Sequence, residues 1–259
     1  MRVPRFFCRP EDRSGDRLTL PADESRHARK VLRLGPGDRI AVLDGTGVEY
    51  EAVVEAFGPS ATPAGKRRGG FCLTARVLAT RSRAAEPSLQ VILLQGLPKG
   101  DKMDLIVQKA TELGVSRIVP VQAKRSISRP EPERGPGKAA RWQRIAQEAA
   151  KQAGRSLAPA VEPPRTLAQA LGRLPEGCTV IVPWEGEGRR TLAEAVAALR
   201  RDAPAALLIG PEGGLAEDEI EQAEAAGALT VTLGPRILRT ETAGFVALAC
   251  LLYATGNLE

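Results

Sequence analysis

Two glycine-bearing segments near the end of this 259-residue chain hold its densest chemistry. The first is Leu208-Ile209-Gly210-Pro211-Glu212-Gly213-Gly214-Leu215, an apolar run that ends in GPEGG. Glycines at a strand end let backbone approach a ligand, and free N–H groups there suit anionic or acceptor atoms. The same pattern also fits a tight turn that needs positive φ. The second is Leu233-Gly234-Pro235-Arg236-Ile237-Leu238-Arg239-Thr240-Glu241-Thr242-Ala243. A guanidinium in such a place can clamp a phosphate or a carbonyl oxygen. Thr240 or Thr242 reads more simply as a helix N-cap.

Several other chemistries drop out. The single histidine, His27, removes every multi-histidine metal site, so no metal is expected. Cys8, Cys72, Cys178 and Cys250 form no CxxC pair and read as scattered thiols of a reducing compartment. Gly137-Lys138 is followed by Ala139, so there is no P-loop, and Gly186-Glu187-Gly188 lacks the third glycine of a dinucleotide fingerprint. No GxSxG elbow occurs. Acid–base work is left to Asp, Glu, Arg, Lys or the substrate itself.

The elements that must position these segments change character along the chain. Arg39–Asp44 and Val48–Ala56 flank Asp44-Gly45-Thr46-Gly47, a hairpin pattern, and Phe71–Thr80 alternates as a strand. Gly58–Gly70 between them reads as a loop. Short strands with turn-rich links suggest a small barrel. After Ala84–Ser88 strands alternate with helices, the mark of an α/β domain with a mostly parallel sheet. Its strands are Val91–Gln95, Arg117–Val121, Thr179–Pro183, Ala206–Gly210 and Thr230–Leu233. Its helices are Asp101–Leu113 with Gly114 as C-cap, Lys138–Ala153, a helix to Arg200 opened by the Thr191/Glu194 capping box, Glu217–Ala226 and Thr242–Ala254. The two glycine-bearing segments therefore end the last two strands, where open α/β sheets bind ligands.

Charge adds a partner. The chain carries a net charge of +6, and residues 1–86 hold 16 basic against 11 acidic side chains. Arg2, Arg5, Arg29, Lys30 and Arg33 are candidates there for RNA phosphates, with His27 beside them. Residues 121–160 hold nine basic against three acidic side chains, among them Lys124, Arg125, Arg129, Arg134 and Arg155. A solvated helix face with a basic loop would look the same. Aromatics are only 3%, which argues against a base-stacking platform. The longest apolar stretch, Phe245–Tyr253, is about half of the roughly 20 residues that span a bilayer, and the N-terminus has no signal-peptide core. A soluble, cytoplasmic protein is expected.

LIGPEGG at 208–214 and LGPRILRTETA at 233–243 closely resemble the bacterial 16S rRNA (uracil-N3) methyltransferase family (RsmE), within the SPOUT superfamily. VPRFF at 3–7, HARKVLR at 27–33, KGDKMD at 99–104, QKATELG at 108–114 and the Glu148, Gln152, Arg155 spacing match in order. The resemblance covers almost the whole chain. It implies residues 1–84 as a PUA-like RNA-binding β-barrel and residues 85–259 as a trefoil-knotted methyltransferase domain, working as a homodimer. It implies S-adenosylmethionine as cofactor, held by Pro183 and Trp184, by Gly210, Pro211, Glu212 and Gly213, and by Leu233, Gly234, Ile237 and Leu238. The implied reaction methylates N3 of a specific uridine in 16S rRNA, free or in the assembled small subunit. Arg239 would stabilise charge on the uracil oxygens, and Glu241 would orient Arg239 or accept the N3 proton. Gln152 and Arg155 gain weight as RNA contacts. A SPOUT enzyme acting on another RNA and a non-catalytic RNA-binding protein are the alternatives.

Overall fold

The computed structural model describes residues 3–59, 71–82, 86–127, 135–200 and 202–258. Arg2, Arg129, Arg134 and nearly all of the expected 58–70 loop lie outside them. Two compact units form: Met1–Glu86 with Ala153–Leu157, and Pro87–Gln152 with Ala158–Glu259.

The first unit is built on six strands: β1 (Arg5–Phe7), β2 (Arg13–Ser14), β3 (Arg17–Thr19), β4 (Arg39–Leu43), β5 (Val48–Pro59) and β6 (Phe71–Ser82). They pair in the order β1-β4-β5-β6-β3-β2. The expected hairpin is β4–β5, and its turn is fastened by Asp44, which accepts from the Thr46 N–H at 2.8 Å and from the Tyr50 hydroxyl at 2.8 Å. Register shifts at Glu51/Ala52 and Val54/Ala56 curl the long β5–β6 ribbon over Phe6, Leu18, Ile40 and Leu73. A short helix α1 (Ala22–Arg26) runs into a π-helical turn at His27–Val31. Ser25 ties α1 to the sheet, its Oγ accepting from the Leu73 N–H at 2.7 Å. The sequence pattern did not reveal β1–β3, which are only two or three residues long.

The second unit contains β7 (Val91–Gly96), α2 (Lys102–Leu113), β8 (Arg117–Gln122), α3 (Gly135–Ala153), β9 (Ala160–Val161), β10 (Arg165–Thr166), α4 (Leu167–Leu171), β11 (Thr179–Pro183), α5 (Leu192–Ala197), β12 (Ala205–Ile209), α6 (Glu217–Ala225), β13 (Leu229–Val231) and α7 (Thr240–Ala254). Every strand pair is parallel, in the order β10-β8-β7-β12-β11-β13 with β9 on β8. A parallel sheet is covered on both faces, which is why β7 and β12 are buried at every residue. Val91 and Leu93 face Met103, Ile106, Trp142, Ala195 and Leu251 of α2, α3, α5 and α7. Ile92 and Leu94 face Leu167, Ala170, Ile220 and Ala223 of α4 and α6. Gly114 closes α2 with φ +110°, a conformation that only glycine adopts readily.

Several boundaries move, among them β5, which runs on to Pro59, and α3, which starts at Gly135. The helix opened by Thr191 stops at Ala197 rather than Arg200, although its capping box forms as expected. Strand β13 stops at Val231, and α7 starts at Thr240 with Arg239 as N-cap. Neither Thr240 nor Thr242 caps that helix, because Thr240 is buried and bonded elsewhere. Among the described residues no helix is long and apolar enough to cross a membrane, and no group of three or more His, Cys, Asp or Glu side chains could hold a metal ion.

Candidate active site

Strand β12 lies between β7 and β11, so the loops that leave the C-terminal ends of β11, β12 and β13 converge. They enclose two adjoining hollows of about 480 and about 390 Å³, which share Pro183, Trp184, Glu185, Ile237, Leu238 and Ala243. Leu233 and Gly234 line the first, and Gly210, Pro211, Glu212, Lys102 and Arg239 line the second. Nine of the ten expected cofactor residues thus share one cleft of the size that small ligands occupy. Gly213 is the exception. A Cβ there would meet the Arg125 Cβ at 3.1 Å, and its carbonyl accepts from Arg125 Nη1 at 3.1 Å.

Close packing of backbone builds the floor. A Cβ on Gly96, at the end of β7, would lie 2.6 Å from the Pro211 nitrogen. One on Gly210 would lie 3.0 Å from the Leu215 nitrogen. Thr240 Oγ1 donates to the Gly210 carbonyl at 2.5 Å and accepts from Gln95 Nε2 at 2.9 Å. Gln95 is fully buried and also donates to the Gly96 carbonyl at 3.1 Å. Sequence reasoning missed this Gln95–Thr240–Gly210 bridge. Its signal was an amide closing the otherwise apolar run VILLQ, since a buried amide must find partners. The Trp184 indole lies against Gly186, where a Cβ would sit 2.4 Å from Cζ2.

Charge is concentrated on one side of the cleft. Lys102 Nζ lies 2.9 Å from Glu212 Oε1 and 3.4 Å from Glu241 Oε2. Partial burial opposes ionisation of Glu212, but the Lys102 ammonium and backbone N–H groups, including that of Lys99, outweigh it and hold its carboxyl below the usual range. The hydrogen bond to Glu212, and then the charges of Glu212 and Glu241, keep Lys102 above the ordinary amine range against its desolvation. Arg239 is exposed, and its guanidinium has no ion-pair or hydrogen-bond partner among the described residues. Glu241 is turned toward Lys102.

The expected RNA contacts are scattered differently. His27, Arg29, Lys30 and Arg33 are exposed around the π-helical turn, with Arg33 in the left-handed region at φ +56°. The Arg29 guanidinium lies over the Phe57 ring at 5.1 Å, and Phe57 stacks on Phe71 at 5.6 Å. Low aromatic content had argued against a stacking platform, yet the β5–β6 ribbon brings these two rings together. Arg5 is not a free surface cation: it is half-buried and lies 3.8 Å from Glu49. Lys124 is exposed and ion-paired with Asp218, and Arg125 packs on the outside of the GPEGG loop. Gln152 is exposed and lines a shallow groove with Gln108, Arg144 and Glu148. Arg155 departs from its expected placement at the surface. It is 4% exposed, and its guanidinium donates twice to Glu86 Oε2, at 2.6 and 3.1 Å. The opposite oxygen of Glu86 accepts from the Ser156 and Leu157 N–H groups, so Arg155 belongs to a buried tie.

Fold and cleft define an RNA methyltransferase domain carried with a PUA domain. Residues 85–252 match the family described as the RNA methyltransferase domain, and residues 20–60 match the RNA methyltransferase PUA domain. The chain is 34% identical over 246 residues to the ribosomal RNA small subunit methyltransferase E of Bacillus subtilis, covering 93% of this chain and 92% of that one. It belongs to the ribosomal RNA small subunit methyltransferase E family. Among solved structures it is similar to the Neisseria gonorrhoeae member bound to S-adenosylmethionine, with a TM-score of 0.82, 34% identity and 97% of each chain covered. A methyltransferase of Legionella pneumophila in complex with the same cofactor gives a TM-score of 0.79 at 28% identity, covering 98% of each chain.

Proposed function

We propose that the chain transfers the methyl group of S-adenosylmethionine to N3 of a specific uridine in the 16S rRNA of the small ribosomal subunit. The carrying observation is one cleft at three strand ends with the unpaired Arg239 guanidinium in its wall. The donor set fits the cofactor. Pro183, Trp184, Leu233, Ile237 and Leu238 offer apolar walls for an adenine, and Ile237 is 90% exposed, an apolar side chain waiting for cover. Glu185 and Glu187 are carboxylates suited to cationic groups. When bound, S-adenosylmethionine supplies an already activated methyl group.

The chain must then orient the acceptor. Uracil N3 lies on the pairing edge, so the base enters unpaired or flipped. As N3 passes its proton to water or, through water, to Glu241, charge spreads onto O2 and O4, and Arg239 donates to one of those oxygens. Arg239 is the catalytic residue of this reading, and Glu241 is held by Lys102 rather than orienting Arg239.

Residues 1–84 serve as the PUA-like RNA-binding barrel and residues 85–259 as the knotted methyltransferase domain. His27, Arg29, Lys30 and Arg33, with the Phe57–Phe71 stack, support RNA contact by the first. Val246, Cys250 and Tyr253 are exposed at helical spacing on α7, which supports a homodimer across that face. The cytoplasm, where ribosomal subunits are made, is the matching location.

The test incubates purified protein with labelled S-adenosylmethionine and unmodified small subunits, beside naked rRNA and transfer RNA, and reads nucleosides by mass spectrometry. The expected product is 3-methyluridine with ribosomal substrate alone. Methylation of transfer RNA would favour another SPOUT activity, and no methylation at all would favour a non-catalytic RNA-binding protein. Arg239→Ala should lower turnover by roughly 10²–10³-fold with the melting temperature unchanged, the loss typical of one transition-state donor. Wild-type turnover in that variant would sink the assignment.

A further inference from the structure

Lys102 is one cation shared by two carboxylates from different elements. Glu212 belongs to the loop after β12 and Glu241 to the first turn of α7, and Nζ reaches both, at 2.9 and 3.4 Å. Glu212 is further fixed by the Lys99 N–H, at 3.1 and 3.3 Å from its two oxygens. The Glu241 side chain is only 14% exposed, and its Oε2 is buried with no hydrogen bond, so Lys102 is its counterion. Arg239 lines the same hollow as Lys102, two residues before Glu241, and remains unpaired among the described residues. Glu212 and Glu241 are therefore held by the lysine and not by the arginine, while Glu185 lines the same hollow without an ion pair among the described residues. A carboxylate turned to Arg239 would neutralise the guanidinium and compete with any carbonyl oxygen that needs it.

We propose that Lys102 is a positioning residue that draws Glu241 away from Arg239 and so keeps the guanidinium available to the substrate, while Glu212 is held in place by the Lys99 N–H as well. Only the identity of that substrate oxygen rests on the methyl-transfer reading. Without Lys102 the largely buried Glu241 carboxylate loses its counterion, and Arg239 is the cation that can replace it.

Phenylglyoxal, which modifies unpaired guanidiniums, tests this on the full chain, with adducts at Arg239 mapped by peptide mass spectrometry. The variants are Lys102→Met, Lys102→Arg, Glu241→Gln and the Lys102→Met/Glu241→Gln pair. Arg239 should react roughly two- to fivefold more slowly in Lys102→Met, the protection that an exposed ion pair confers. Lys102→Arg and the double variant should react at the wild-type rate. Equal rates in all the proteins, or a double variant as slow as Lys102→Met, would overturn the proposal. If Lys102→Met melts below the assay temperature, Lys102→Gln replaces it. Turnover gives a second readout: kcat falls in Lys102→Met and recovers in Lys102→Arg. In the double variant kcat equals that of Glu241→Gln alone. A wild-type protein that makes no 3-methyluridine while Arg239 reactivity keeps this order would refute the methyl-transfer reading and leave the role of Lys102 standing.

Discussion

Replacing Gly96 by alanine adds one carbon where there is no room for it. The new Cβ would lie 2.6 Å from both the nitrogen and Cδ of Pro211 and 2.9 Å from the Gly210 carbonyl carbon. Carbon atoms rest at about 3.5–4.0 Å, so roughly 1 Å of overlap must be relieved. The obstacle is backbone and a proline ring, not the tip of a flexible side chain. Gly210 is also held from the other side, because its carbonyl accepts from Thr240 Oγ1. Relief must therefore shift the GPEGG loop or the end of β7, at about 1–3 kcal/mol for overpacking. A strained or broken Thr240–Gly210 bond adds about 0.5–1.5 kcal/mol. A loss near 2–4 kcal/mol lowers Tm by roughly 4–16 °C at this chain length. Differential scanning fluorimetry and a calorimetric titration with S-adenosylmethionine read both consequences. Gly137→Ala, in a helical position with nothing within 4 Å of the new carbon, is the control and should not lower Tm. A Gly96→Ala protein that melts within 2 °C of wild type and binds cofactor normally would refute the packing argument.

The two faces of the GPEGG loop should respond differently. Gly210→Ala should weaken cofactor binding in titration, whereas Gly213→Val should disturb Arg125 and leave cofactor affinity closer to wild type. The folded-state pKa of Glu212 lies below its ordinary 4.5, so its contribution to stability is full above that pH and fades as pH falls through the folded value. Melting curves of Glu212→Gln and wild type should thus differ most near neutrality and converge in acid; a gap that widens in acid would reverse the sign. Burial, and then nearby carboxylates, push the Cys8 thiol up to about 12, and burial lifts Cys178 to about 11, while Cys250 is exposed. Iodoacetamide with peptide mapping should label Cys250 first, and earlier labelling of Cys8 would contradict its burial.

Local patterns carried much of the architecture. The spacing of Met103, Ile106, Val107 and Ala110 marked α2, and Thr191 with Glu194 marked the start of α5, because a helix face and a cap are properties of a few neighbouring residues. The cleft was legible because its glycines and prolines cluster at strand ends. What stayed hidden depends on partners far apart in the chain. Gln95 meets Thr240 across 145 positions, and Arg155 meets Glu86 across 69. Charge and the family resemblance placed Arg155 among the RNA contacts, since a sequence pattern cannot show that a carboxylate waits for it in the interior. Phe57 and Phe71 escaped notice as a pair because only the hairpin pairing of β5 with β6 brings them together. Thr240 looked like a cap by its position alone, and the nearness of the Gly210 carbonyl took it elsewhere.

The place of β12 has a consequence for how the chain is made. Val91–Gln95 of β7 pairs with Ala205–Ile209, more than a hundred residues further along. As the ribosome extends the polypeptide from its N-terminus, β7 can dock on β8 but its other edge stays bare. That edge belongs to an entirely apolar strand until its last two residues, the kind that recruits foreign strands. It is sealed only when β12 emerges and inserts between β7 and β11. The nascent chain therefore spends nearly half of its synthesis with an open seam, and its folding is slow and late by construction.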